Sequence, residues 1–446
     1  MCVDVGSTYT KASLIDSAAG AVCDRGQVAT TLRSDVWDGV REVRDQLAAR
    51  DPQTPPANDR ERVRICSSAG GGLRLAVVGF ERVVSAEAGR WVALSAGARI
   101  VHICDGDLGS GDIDSLRGSA PDLILLVGGT DGGNSSTLLR NAQTLADASL
   151  PSAMVVAGNR EVQDTAVRIV TCAGGVALLA DNVLPAIGQI APASARATIR
   201  AAFLQHVIGG KELSRHADFA AGVRAPTPDA VLDGVSVLRD VADEDVMVID
   251  VGGATTDVYS AIMPQGEDAL LAKEVVARLP LARTVEADLG MRHSAPGVLQ
   301  AATREGLLSD DSTDLVRWAD EVAGSADVLP GTDAGRSLDL RLAAHAALLA
   351  ARRHGRPSAP GGSPRPLSDV GVLIGSGGVL RHAPQAAARA TLRGVVSDIG
   401  GGWRPPDQAR LVVDTAYLLG GIGLLAEDWP HVAASLARSL LDQESR

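Results

Sequence analysis

One short device occurs twice in this chain. Near the N-terminus, CVDVGSTYTK (Cys2–Lys11) runs from apolar residues into Asp4, one further residue, Gly6 and a set of hydroxyls. Far downstream, VMVIDVGGATTDVY (Val246–Tyr259) repeats the pattern around Asp250 and Gly252. A strand ending in Asp-x-Gly places a carboxylate at the edge of a sheet and turns the backbone tightly enough for successive N–H groups to point outward, a nest that suits an anion. Ser7, Thr8, Thr10, Thr255 and Thr256 add neutral donors. A single such turn is more often a plain corner between strand and helix. Two copies with matching hydroxyls, and a third glycine turn where Val370–Ile374 runs into Gly375-Ser376-Gly377-Gly378, point instead to a polyphosphate. Asp4 and Asp250 would then reach a magnesium ion through its waters, because Mg²⁺ gives up water reluctantly.

The totals bound the rest. A chain of 446 residues is too long for one ordinary core and implies two to four domains. Its net charge of −12 excludes a broad nucleic-acid surface, which needs clustered Lys and Arg. Cys2, Cys23, Cys66, Cys104 and Cys172 form no C-x-x-C pair and are odd in number, which suits reduced thiols and a cytoplasmic location. No export signal and no apolar run of ~18 residues is present, so no membrane association is expected. Only three of the 42 basic residues are lysines, and one of them, Lys11, lies in the first glycine motif, where a compact ammonium suits a phosphate.

Taken in order, the chain opens on a strand of only Met1, Cys2 and Val3 before Asp4, and the expected true start lies a few residues upstream. Ala12–Asp16 and the turn Ala18–Gly20 predict a hairpin, Val36–Arg50 a helix, and the proline-rich Asp51–Asp59 a linker. From Arg62 to about Leu184, short apolar strands (Val63–Cys66, Leu75–Val78, Ile100–Cys104, Leu123–Val127, Met154–Ala157) alternate with helices at Ser85–Ala98 and Glu161–Ala173, the pattern of an inserted α/β domain. Asp181–Thr227 is expected to be mostly helical, with a break at Pro226–Asp233. After the central strand come Ala269–Leu279 and Arg283–Leu289, and then a helix at Ser337–Arg353 and a loop at Gly355–Pro366. Leu411–Asp414 and Tyr417–Leu425 close the chain. The expected division is 1–61 for the N-terminal part of a first lobe, 62–184 for an inserted, partner-binding α/β domain, 185–245 for a helical return, and 246–446 for a second lobe with a helical insertion at about 290–366.

DVGSTYTK, VIDVGGATTDVY and VLIGSGGVL resemble the two phosphate motifs and the adenosine motif of the actin, sugar-kinase and heat-shock ATPase superfamily. CSSAGGGLR (Cys66–Arg74), LILLVGGTDGGN (Leu123–Asn134), VVAGN (Val155–Asn159) and VEADLGMRHSA (Val285–Ala295) resemble one branch of it more closely, the glutamate mutase accessory proteins of the MutL type, which are unrelated to mismatch repair. The resemblance implies an actin-like α/β fold, two ribonuclease-H-like lobes around an ATP cleft. It implies that Asp4 and Asp250 handle Mg²⁺, that Gly6, Ser7, Thr8 and Lys11 face the phosphates from one lobe and Gly252, Gly253, Thr255 and Thr256 from the other, and that Gly375, Gly377 and Gly378 admit the adenosine. Asp257 and Glu286 are candidates for positioning the attacking water, and Asp288 is a weaker one. The implied activity is a slow, Mg-dependent ATPase that reactivates an adenosylcobalamin-dependent mutase, binding the mutase subunits and forming a possible homo-oligomer.

Other constellations fail on their residues. No Asp-x-His-x-x-Gly cobalamin loop is present: Ile100 stands where His102 would need an aspartate, and His102 reads as a strand residue beside the core. Asp105–Asp114 resembles a calcium loop but has Ser110 and Leu116 where Gly and Glu are needed. A small-molecule kinase of the same superfamily is the alternative, with Asp257 as its catalytic carboxylate, and a nucleotide-gated scaffold is a third reading.

Overall fold

The computed structural model describes residues 1–81, 84–208, 213–263, 280–308, 312–324, 328–357 and 364–444. The segment Ala269–Leu279, expected to lead towards the helical stretch, and Lys211 and Lys273 lie outside them. The chain forms two compact units, one of Met1–Val231 and one of Leu232–Met263 with Pro280–Arg446.

In the first unit, β1 (Cys2–Val5), β2 (Tyr9–Asp16) and β3 (Ala21–Ala29) form an antiparallel meander, followed by α1 (Val36–Ala48), whose first turn is capped by Asp35 accepting from Trp37 N. The chain returns as β4 (Arg64–Ser67), parallel to β1. A second sheet then follows: β5 (Arg74–Gly79), α2 (Ser85–Ser95), β6 (Arg99–Asp105), α3 (Ser110–Ser119), β7 (Leu123–Leu126), α4 (Ser136–Ala148), β8 (Ala153–Val156), α5 (Gln163–Cys172) and β9 (Ala177–Leu179). After α6 (Pro192–Ala202) and α7 (Ala217–Gly222), β10 (Val223–Pro226) pairs with β4, and α8 (Thr227–Ala242) begins. The first sheet therefore runs β10-β4-β1-β2-β3 and is mixed; the second runs β6-β5-β7-β8-β9 and is wholly parallel.

Two expectations differ from this. The apolar pattern alone groups Val63–Cys66 with the inserted sheet, but β4 belongs to the first sheet, so the insert starts near Arg74 rather than at 62. A buried parallel strand is an apolar run whichever sheet it joins, and nothing local marks the partner. The stretch 181–227 also contains a strand, β10, which is only four residues long and ends in Pro226. An edge position tolerates that missing N–H. The expected break at Pro226–Asp233 is instead the start of α8, where Pro228 falls in a first turn that needs no N–H partner.

The insert is not separately cored. Leu75, Val77, Leu123, Leu125 and Val155 on one face of its sheet share a continuous core with Val3, Val5, Ile65 and Leu47. Ala76, Val78, Ile124, Leu126, Met154 and Val156 on the other face pack with Leu138, Leu145 and Val170. Period-two alternation in a strand covered on both sides sorts residues between two layers without any polar residue marking it.

In the second unit, β11 (Val246–Val251), β12 (Thr256–Ala261) and β13 (Leu281–Glu286) form another antiparallel meander. Helices α9 (Ala295–Arg304), α10 (Thr313–Gly324) and α11 (Asp333–Gly355) follow, then β14 (Val372–Ser376), α12 (Gly378–Arg381), α13 (Gln385–Val396), β15 (Arg410–Val413), α14 (Leu419–Ala426) and α15 (Pro430–Leu441). Segment 283–289, expected to lead directly into the helical region, begins within β13. The sheet order is β13-β12-β11-β14-β15, with β14 and β15 parallel to β11. Strand for strand, this is the order and direction of the first sheet. The chain is thus an α/β protein of mixed and parallel sheets. Among the described residues, no helix is long and apolar enough to cross a membrane.

Helix α11 carries charge into this unit's interior. Arg352 donates to Asp398 from Nε and Nη2, both at 2.7 Å, and to Glu305 from Nη1 at 2.7 Å, while Arg356 donates to Glu305 at 2.7 and 2.8 Å. Trp403 Nε1 adds a 2.6 Å bond to Asp398. Hydrogen bonding from Arg356, against the opposing effect of burial and with help from Arg352, holds Glu305 below the usual carboxylate range. Removing one member of such a buried group strands the others. Arg352→Met is expected to cost about 3–5 kcal/mol in urea denaturation.

Candidate functional site

The two Asp-x-Gly segments fold into the same hairpin. In the first unit Asp4 pairs with Lys11 and Val5 with Thr10, and the turn is closed by Gly6 N donating to Tyr9 O at 3.1 Å. In the second, Asp250 pairs with Asp257 and Val251 with Thr256, and Gly252 N donates to Thr255 O at 2.9 Å. Register and closing bond coincide, so Ser7 and Thr8 in one hairpin correspond to Gly253 and Ala254 in the other, all four exposed. The residue opposite the aspartate differs: Lys11 in the first unit, Asp257 in the second.

The first hairpin is fixed from outside. Thr30 donates from its amide to Thr8 O at 2.9 Å and from its hydroxyl to Gly6 O at 2.9 Å. Asp4 is 8% exposed and accepts from Thr227 Oγ1 at 2.6 Å and from Cys66 Sγ at 3.6 Å. Burial, together with the nearby Asp4 charge, pushes the Cys66 thiol well above its ordinary range, which keeps it a neutral donor. The Asp4 carboxylate is therefore oriented by the end of β4 and the first residue of α8.

The second hairpin is braced by the segment after β13. Met291 N and Arg292 N donate to Gly252 O at 3.0 Å and Gly253 O at 2.8 Å, and Thr256 Oγ1 donates to Leu289 O at 2.5 Å. Asp257 accepts from Arg283 Nε at 2.9 Å and Nη2 at 2.6 Å on one oxygen and from Thr255 Oγ1 at 2.8 Å on the other. It thereby fixes the Thr255 hydroxyl. Glu286 and Asp288 share Arg353, whose guanidinium donates to Glu286 at 2.7 Å and to Asp288 at 2.6 and 2.8 Å. Burial pushes the Glu286 carboxyl up against the pull of Arg353, whereas hydrogen bonding from Arg353 holds Asp288 down.

Beside Asp250 runs β14, in a register that sets Ser376 against it. Gly377, at φ 102°, crosses the end of β11 so closely that a Cβ would lie 2.2 Å from Val251 O, so only glycine fits. Gly378 faces open space at the start of α12, while Gly375 lies under Leu380 and Leu392, where its missing side chain makes room for packing.

Thr227, Cys66, Arg283 and Arg353 take part in these contacts and were not among the sequence candidates. Thr227-Pro228 is a legible helix start, but its partner is 223 positions away. Arg283 reaches Asp257 diagonally across two strands, which only the pairing reveals. No group of three or more His, Cys, Asp or Glu side chains placed to hold a metal occurs among the described residues.

The opposed shifts at Arg353 give a pH signature. A raised folded-state pKa means that the Glu286 contribution to stability is present at low pH and is lost as pH rises through that value. Glu286→Gln removes this loss, so the variant is expected to gain stability relative to the parent as pH rises from about 4 to 7 and to match it in acid, as read by urea denaturation across that range.

Residues 1–441 match the family described as MutL protein. The protein named "Protein MutL" from Clostridium tetanomorphum is 31% identical over 459 residues, covering 99% of this chain and 98% of that one. Among solved structures, a nucleotide-free acetone carboxylase has a TM-score of 0.41 at 14% identity over 95% of this chain and 69% of its own. The ATP-dependent caprolactamase from Pseudomonas jessenii has a TM-score of 0.38 at 13% identity over 95% and 70%. On the family match and the full-length relative, this chain belongs to the MutL family, the glutamate mutase accessory proteins whose motifs it carries.

Proposed function

We propose that the chain is an ATP-dependent accessory protein that reactivates an adenosylcobalamin-dependent mutase of the glutamate mutase type. The observation that carries the proposal is the duplicated hairpin: two Asp-x-Gly turns in the same register, each in a sheet of the same strand order. That duplication is what an actin-like ATPase of two ribonuclease-H-like halves requires, and family membership supplies the mutase as partner.

In this proposal Gly6, Ser7, Thr8 and Lys11 contact phosphate from the first unit, and Gly252, Gly253 and Thr255 from the second; Thr256, expected beside them, is fully buried with its hydroxyl donating to Leu289 O and braces the turn instead. Gly377 and Gly378 border the adenosine, with Gly375 supporting them from below. Magnesium, when bound, neutralises phosphate charge, and Asp4 and Asp250 would hold it through its waters. Asp4 and Asp250 each stand at the same register position of their hairpin, and holding Mg²⁺ through one or two carboxylates and its own waters is how proteins commonly bind this ion. Thr227 and Cys66 keep Asp4 oriented, and Asp257, charge-balanced by Arg283, keeps the Thr255 hydroxyl in place. Asp257 or Glu286 positions the attacking water. Nucleotide state shifts the population of conformers that the mutase prefers, and a coupling of ~1–3 kcal/mol alters partner affinity about 5- to 150-fold. The cobalamin belongs to the mutase, and the complex works in the cytoplasm.

Purified protein is expected to hydrolyse ATP slowly, only with Mg²⁺, and faster with the mutase present. Asp250→Asn is expected to lower that rate on the order of 100-fold. A mutase inactivated by damaged cobalamin should recover only with hydrolysable ATP, Mg²⁺ and fresh cofactor. Rapid phosphorylation of a small acceptor by the isolated protein would instead establish a kinase.

A further inference from the structure

The first turn of α8 makes two contacts that the proposed reaction does not use together. Thr227 donates to Asp4 Oδ1 at 2.6 Å, on the candidate phosphate hairpin. Two residues on, Asp229, 1% exposed, takes Arg196 Nη2 on Oδ1 at 2.9 Å and Arg200 Nε on Oδ2 at 2.5 Å. Both arginines are on α6, which packs on α2, β8 and β9 of the inserted sheet. The turn after α2 presses on the same aspartate: a Cβ on Gly97 would lie 2.6 Å from Asp229 N. One helical turn thus holds the site carboxylate at Thr227 and is gripped at Asp229 by α6 and by the turn after α2.

These contacts differ in kind. The Thr227–Asp4 bond depends on what else the Asp4 carboxylate is asked to bind, because a carboxylate that orients a hydrated cation redistributes its hydrogen bonds. The Asp229 contacts are a buried charge with two bidentate-capable cations, which resist being pulled apart. Two ion pairs on one buried carboxylate tie this turn to α6.

Resting on the ATPase reading above, we propose that Thr227 and Asp229 form a relay that passes the nucleotide state of the Asp4 hairpin to α6 and the inserted sheet. Thr227 is a positioning residue in this scheme and touches no reacting atom. The insert becomes the nucleotide-responsive part of the first unit, and so the part through which a bound mutase would sense ATP.

Hydrogen exchange on the full chain, with and without Mg·ATP, tests the relay, with ATP affinity measured in parallel. In the parent protein Mg·ATP is expected to slow exchange severalfold both in the hairpin at 2–16 and in α6. Asp229→Asn, which neutralises the gripped carboxylate without changing its shape, is expected to keep the hairpin response and ATP affinity while losing the α6 response. Thr227→Val is expected to lose the α6 response as well, and Thr227→Ser to restore it, which a merely structural role for the threonine methyl would not do. A hairpin response with no α6 response in the parent, or an α6 response that survives in Asp229→Asn, overturns the relay. Absence of any hairpin response overturns the ATPase reading itself, and the relay with it.

Discussion

The candidate site depends on one hydrogen bond made twice, from the glycine amide of Asp-x-Gly to the carbonyl three residues on. That bond fixes how far the strand runs before it turns. It therefore decides that Asp4 and Asp250 stand one residue before the last paired position ahead of the turn. Around it, each unit supplies different support. The first uses neutral donors, Thr30, Thr227 and Cys66, whereas the second uses ion pairs, a buried one of Asp257 with Arg283 and a more exposed one of Arg353 with Glu286 and Asp288. A repeated backbone geometry has been kept while the side-chain electrostatics diverged.

That divergence bears on chemistry. Opposite the aspartate, the first hairpin carries a cation, Lys11, and the second an anion, Asp257. A phosphate meeting the first turn finds positive charge close by. At the second the exposed residues are Gly253 and Ala254, the Thr255 hydroxyl donates to Asp257, and that carboxylate is paired with a guanidinium. The two hairpins are alike in fold and unlike in charge.

Much of this was legible in the sequence because it is local. Asp4, Gly6, Asp250 and Gly252 announce their turn through residue type and spacing, and the strands at Leu75, Ile100, Leu123 and Met154 show as apolar runs between glycine turns. What was not legible depends on pairing. Val63–Cys66 was assigned to the wrong sheet because an apolar run does not name its partner, and Val223–Pro226 was too short and too proline-marked to read as a strand at all. Arg283, Arg353 and Thr227 act at distances of 26, 65 and 223 positions, where no period or motif reaches. The residues that present chemistry were visible, and those that hold them in place were not.

The inserted sheet has one face in the core of the first sheet and the other in a core of its own. It is consequently no appendage on a flexible tether. Any excursion large enough to matter must either carry the first sheet with it or open a shared apolar seam, and the second course exposes side chains such as Leu75, Leu123 and Val155 to water. Mechanical stiffness is thus built into the inserted sheet, and small displacements of the first hairpin need not be lost before they reach it.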